Sequence, residues 1–204
     1  MEPYDEQQAT DEAWKFLRSN STATLRFGEH LQDISYVICN DGFMVIPVMV
    51  AMLQPHDMVM YVPEYVDDCM EMHISLEQLS EDGEDGVRAD RWQMYHGEPP
   101  DVQWAKVEID AARFHEKFID GEGLCRVNEF AELEASLCKQ FNSSTAKLAK
   151  ACLHVANVEV ESPLLVGVDP LGLDIRARFG IVRLEPKVPF ENAQHVESFI
   201  SRRA

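Results

Sequence analysis

The sequence predicts an α+β fold: one short helix, a long β-rich block, then a small helix-helix-strand-strand-helix unit. Three observations carry this. Between 22 and 109 the apolar residues fall in short runs bounded by glycine, proline and an Asn40-Asp41-Gly42 turn, which is the punctuation of antiparallel strands. From 130 to 155 the apolar period changes to that of a helix, with Phe130, Leu133, Leu137 and Phe141 at i, i+3, i+7 and i+11. The stretch Val166–Leu184 then returns to short β runs joined by tight turns. Strands gathered in one part of a chain and helices in another point to α+β.

The elements follow in order. Residues 1–9 are polar and expected to fray. Asp11–Arg18 reads as a helix, capped by Thr10 or Asp11, with Ala13, Trp14 and Leu17 inward. Thr22–Phe27 and Ile34–Cys39 read as strands, and Asn40-Asp41-Gly42 as a hairpin turn. Phe43–Leu53 is apolar throughout, as in a buried strand or a dimer-face strand, and Pro47 marks an edge or a bulge. Its methionines, with Met58 and Met60, suit a core or a dimer face. Gln54–Asp57 is a turn into strand Met58–Val62, and Tyr65–Met72 reads as a helical turn. His73–Leu76 begins a strand or a helix. Ser80–Gly86 reads as an acidic exposed loop, Arg91–Tyr95 as a strand, Gly97–Pro100 as a turn and Val102–Ile109 as a strand; Ala111–Ile119 is ambiguous. Asn142-Ser143-Ser144 separates the first late helix from a second over 145–155, where Leu148, Cys152 and Leu153 point inward. In the closing meander Asp169-Pro170-Leu171-Gly172 is a tight turn, and Leu173, Ile175 and Ala177 alternate with Asp174, Arg176 and Arg178. A last helix over 191–202 turns Val196, Phe199 and Ile200 inward.

The length, 204 residues, and a 46% hydrophobic content allow two small units, expected at 1–120 and 125–204. The net charge of −18 repels phosphate backbones and anionic lipid, so neither nucleic acid nor a membrane is an expected partner. No apolar run reaches the length of a membrane span, and the acidic N-terminus lacks a secretory h-region. Five widely spaced cysteines with no C-x-x-C read as reduced thiols in a cytoplasmic protein.

Familiar chemical motifs are absent. Gly121-Glu122-Gly123 lacks the third glycine of a dinucleotide fingerprint, and there is no P-loop or G-x-S-x-G elbow. The seven histidines show no H-E-x-x-H spacing, which argues against a zinc site. His154 and His195 are chemically able to ligate an iron porphyrin, although surface and capping roles are commoner. Cys39, Cys138 and Cys152 read as packing residues. Arg26, Arg91 and Lys106 lie on or beside expected strands. Most such residues are salt-bridge partners, yet a barrel that binds a phosphate draws on the same kind.

The string Gly167-Val168-Asp169-Pro170-Leu171-Gly172-Leu173-Asp174-Ile175-Arg176, with the two helices before it and the closing helix after it, resembles the C-terminal domain of haem-utilisation proteins related to pyridoxamine-phosphate oxidase. The N-terminal block is similar in outline to that family's FMN-binding split barrel, with Lys106–Phe114 matching the last barrel strand and its exit. The resemblance implies an antiparallel split β-barrel, a homodimer, and FMN or haem bound at the barrel, with Arg26, Arg91 and Lys106 as candidate cofactor-binding residues. Two departures stand beside it. Where haem-degrading members carry N-x-[DE]-H, this chain has Asn142-Ser143-Ser144-Thr145, and no H-T-x-N occurs in Glu64–His73. The alternative is therefore a cofactor-free, non-catalytic binding or regulatory protein on the same fold. No catalytic residue is assigned and enzymatic activity is left open.

Overall fold

The computed structural model describes residues 3–54, 57–80, 82–99 and 102–201. The turns expected at 54–57 and 97–100, the loop at 80–86 and the last residue of the 191–202 helix fall partly outside these. The chain divides into two compact units, Met1–Val127 and Asn128–Ala204. Among the described residues no helix is long and apolar enough to cross a membrane.

The first unit opens with helix α1, Pro3–Ser19. It begins well before the expected Asp11 because Ala9, Ala13 and Leu17 recur every fourth residue and all three are buried. Thr10 is no cap: it lies inside the helix, and its hydroxyl donates to the Glu6 carbonyl (2.9 Å). Strand β1 (Thr22–Phe27) turns through Gly28, at φ +57°, into β2 (His30–Ser35). The strand expected over 34–39 is divided at Tyr36, leaving β3 as Val37–Ile38. Tyr36 is drawn into the core, where its hydroxyl donates to the Leu17 carbonyl (2.8 Å). The hairpin at 40–42 is present, with the Cys39 amide donating to the Phe43 carbonyl (2.8 Å).

Strand β4 takes only Met44–Val48 of the long apolar run, and Val50–Leu53 is a 3₁₀ turn. Pro47 pairs with Trp104 on one side and lies beyond the reach of the short β3 on the other, so its missing amide costs no ladder bond. Strands β5 (Met58–Val62) and β6 (Met70–Gln78) follow. The helical turn expected at 65–72 does not form: that segment is irregular and then enters β6.

The largest correction concerns 80–96. Helix α2 spans Gly83–His96 and contains both the second half of the expected loop and the expected strand 91–95. Ala89, Trp92 and Tyr95 form its buried face at helical spacing. Trp92 packs edge-on to Trp104 (5.5 Å) and donates from Nε1 to the Ser35 carbonyl (3.0 Å), while His96 Nε2 lies 3.1 Å from the Tyr36 carbonyl. Strand β7 (Gln103–Phe114) outruns its expected end and turns through His115 and Glu116, both at positive φ, into β8 (Lys117–Asp120).

All these strands pair antiparallel in one eight-stranded sheet of order β2-β1-β5-β6-β7-β4-β3, with β8 on the end of β7. The sheet curls into a half-barrel, the split barrel that the resemblance implies. One face buries Leu25, Ile46, Met60, Met72 and Val107 against Ala13 and Leu17 of α1. Of the methionines that suited either a core or a dimer face, Met44, Met52, Met58 and Met60 belong to this core, and Met49 is exposed.

The second unit contains α3 (Ala131–Asn142), α4 (Thr145–Ala156), the meander β9 (Leu164–Asp169), β10 (Gly172–Ala177) and β11 (Gly180–Leu184), and α5 (Ala193–Ser201). It has one strand more than the alternation suggested, because Leu164–Asp169 is apolar on both faces. Phe141, Leu148, Cys152, Leu173, Ile175, Val196 and Ile200 form its core. Leu133 and Leu153, expected inward, are exposed. Asp174, on the charged side of the meander, is buried with Asp169. Arg183 bridges the pair, NH1 to Asp174 (2.7 Å) and NH2 to Asp169 (2.8 Å). Burial works against the Arg183 charge, but the two carboxylates outweigh it and hold the guanidinium above its ordinary range. Gly172 makes room for this arrangement: a Cβ there would lie 2.8 Å from the Leu184 carbonyl oxygen and 3.1 Å from the Arg183 guanidinium carbon.

Candidate functional site

The three cations expected to bind a phosphate occupy different places. Arg26 lies on β1, on the face away from the core, and donates from Nε to the Tyr61 hydroxyl (3.2 Å). Lys106 lies on β7, paired with Glu77 and with Glu108 (3.2 Å), and its ammonium stands 4.6 Å from the Phe43 ring centre. The hydrogen bond to Glu77, helped by Glu108, raises the Lys106 ammonium above its usual range. Strands β5 and β6 separate β1 from β7, and Arg26 lies level, through Val59 and His73, with Ala111, well along β7 from Lys106. They do not converge on one phosphate. Arg91 lies on α2, not on a barrel strand, with its guanidinium 5.4 Å from the Tyr95 ring centre.

Arg91 does border a groove. A cavity of about 480 Å³ runs between α2 and the β3–β4 turn. Val87 and Met94, spaced i, i+7 and both exposed, supply one apolar wall, and Cys39 lies on the opposite side. Asp41, Arg88, Asp90 and Arg91 carry its charge. Arg88 is the residue that the sequence reading missed. Its Nε and NH2 reach one oxygen of Asp41 (2.9 and 2.7 Å), and its NH1 reaches Asp85 (2.7 Å). The other Asp41 oxygen accepts the Phe43 amide (3.2 Å), so one carboxylate shapes the turn and fastens it to α2. The signal was the pair Arg88 and Arg91 at i, i+3, which shares a face only once residues 83–96 are known to be helical.

The surroundings bear on what the groove can do. Burial, seconded by Asp41, pushes the Cys125 thiol up, with Lys106 opposing. Among the described residues no cluster of three or more His, Cys, Asp or Glu side chains could hold a metal ion. Neither histidine considered for iron belongs to this groove. His154 is exposed on α4, its Nδ1 2.9 Å from the Lys150 carbonyl, and His195 lines a separate cavity of about 570 Å³ beside residues 186–191. Asn142, the one residue retained from the N-x-[DE]-H pattern, clamps the β9 backbone. Its side-chain amide donates to the Leu165 carbonyl (3.0 Å) and its oxygen accepts the Leu165 amide (2.8 Å).

No protein-family profile matches this sequence, and no curated protein does. Solved structures do. A protein of unknown function from Agrobacterium tumefaciens superposes with a TM-score of 0.74 at 12% identity, over 96% of this chain and 94% of that one. A heme binding protein from Mycobacterium smegmatis aligns over 95% of each chain at 15% identity, with a TM-score of 0.46. The first likeness extends the fold to nearly the whole chain.

Proposed function

We propose that this chain is a ligand-binding split-barrel protein, and that the groove between α2 and the β3–β4 turn takes a flat, mostly apolar molecule with an anionic tail. FMN and haem share that chemistry. The observation that carries the reading is the composition of the groove: Val87 and Met94 beside two guanidinium groups, on a protein of net charge −18. Arg88 and Arg91 would meet the anionic tail, because planar guanidinium groups pair with phosphate and carboxylate alike. The apolar wall would receive the ring system. A flavin asks nothing more of this donor set and would bring redox chemistry. A haem would find two sulfurs lining the groove, the Cys39 thiol and the Met94 thioether. A homodimer belongs to the same reading, and the exposed Met49 and Val50 are apolar residues suited to it.

One observation favours the second reading, a cofactor-free binding or regulatory protein. Lys106 and Arg88 each already face two carboxylates of the chain itself. An absorption spectrum of the purified protein decides between the two. A flavin band or a Soret band, present on isolation or gained on adding FMN or haemin, supports the first. A colourless protein that takes up neither excludes it and leaves the second.

A further inference from the structure

We propose that Asp41 is the specificity-determining residue of the α2 groove, occupying the anion subsite at Arg88 until a ligand's anionic group displaces it. The inference rests on the groove being a ligand site and goes further, to which contact a ligand must break. Arg88 offers the planar donor fork that recognises phosphate and carboxylate, and it borders the groove. Two of its donors, Nε and NH2, end on one oxygen of Asp41, which lines the groove, while NH1 is held by Asp85, which does not. The chain thus presents to Arg88 the kind of group a ligand would bring. Asp41 does not depend on Arg88 for its place, because its other oxygen accepts the Phe43 amide within the turn. A ligand phosphate can therefore take over the Arg88 donors while the turn keeps its shape. Asp85 is retained as the anchor that keeps the guanidinium pointing at the groove.

Affinities of FMN and of riboflavin, which lacks the phosphate, read this directly by quenching of flavin fluorescence. Haemin and its dimethyl ester form the parallel pair should haem be the ligand. Asp41→Asn keeps an oxygen for the Phe43 amide and removes the competing charge. It should tighten FMN about fivefold, the worth of a half-exposed ion pair, and leave riboflavin unchanged. Arg88→Gln should weaken the preference for the anionic member of each pair, leaving only what Arg91 contributes. Asp85→Asn tests the anchor without touching the turn, and should weaken FMN. If wild type binds and Asp41→Asn binds FMN no more tightly, the role of Asp41 is overturned and the groove stands. Equal tightening of FMN and riboflavin also overturns it, because no anion subsite is then involved. If neither wild type nor Asp41→Asn binds any of the four probes, the ligand reading of the groove falls and this inference with it.

Discussion

Arg183 shows why residues of one type cannot be read alike along this chain. In sequence it is one more charged position in a strand, and Asp174 falls on what alternation marks as the wet face. In the fold the two are cross-strand partners in the β10–β11 ladder, and both side chains are 6% exposed. A single strand's pattern cannot show that, because the partner arrives from the next strand. Removing the cation would leave two carboxylates buried without compensation, so Arg183→Met should cost about 3–5 kcal/mol, measured by urea denaturation. Gly172→Ala should cost about 1–3 kcal/mol through its clash with the Leu184 carbonyl, with no change in charge. Cys152 is a different case: burial pushes its thiol up to about 11 from 9.0. Its folded-state pKa is raised, so the unfolded chain loses the proton first as pH climbs. Stability is unaffected below about pH 9 and falls between about pH 9 and pH 11, by roughly 2–3 kcal/mol in all. Cys152→Ala should flatten that part of the pH profile; an unchanged slope would remove Cys152 as its source.

At the scale of elements, legibility followed the strength of the local period. Strands β1 and β5, helices α3 and α4 and the 40–42 hairpin stand where propensity and turn chemistry put them. Helix α2 does not, and the reason is physical. Gly83 and Gly86 in its first turn carry loop signals, and its buried face is only three residues long. Its stability comes from docking, through the Trp92 ring on Trp104 and two bonds to the β2–β3 backbone, none of which a local window contains. The candidate groove was hidden for the same reason. Arg91 was singled out as a barrel residue, while Arg88 and the Asp41 fastening appear only when the helix meets the turn. Trp92→Phe keeps most of the packing and leaves the Ser35 carbonyl without its donor, so it should lower stability by about 1 kcal/mol. The larger cavity of Trp92→Ala should cost about 3–5 kcal/mol. If α2 is held by these contacts, the alanine variant should also lose helical circular dichroism before the main unfolding transition. Loss only within that transition would mean that the helix is fixed by something other than Trp92.

For the molecule as a whole, charge is the property read most directly and explained least by any one site. The chain has 36 acidic residues against 18 basic ones. Among the described residues Arg88, Lys106 and Arg183 each hold two carboxylates, while Arg113, Arg126 and Arg178 hold one each. Exposed pairs of this kind contribute little, about 0–1 kcal/mol each, and the excess of like charge opposes the compact state. Salt weakens both, but not equally. From about 0.02 M to about 0.5 M salt the screening length shrinks from roughly 20 Å to roughly 4 Å, which cuts the long-range repulsion far more than the contacts at bonding distance. The Arg183 cluster, removed from solvent, is affected least. The melting temperature should therefore rise with sodium chloride over that range, by about 2–5 °C for a net gain near 1 kcal/mol, followed by scanning calorimetry. Arg183→Met should rise in parallel with wild type, because the term being screened is spread over the surface. A melting temperature that falls with salt would mean that the ion pairs, not the excess charge, govern the stability of this chain.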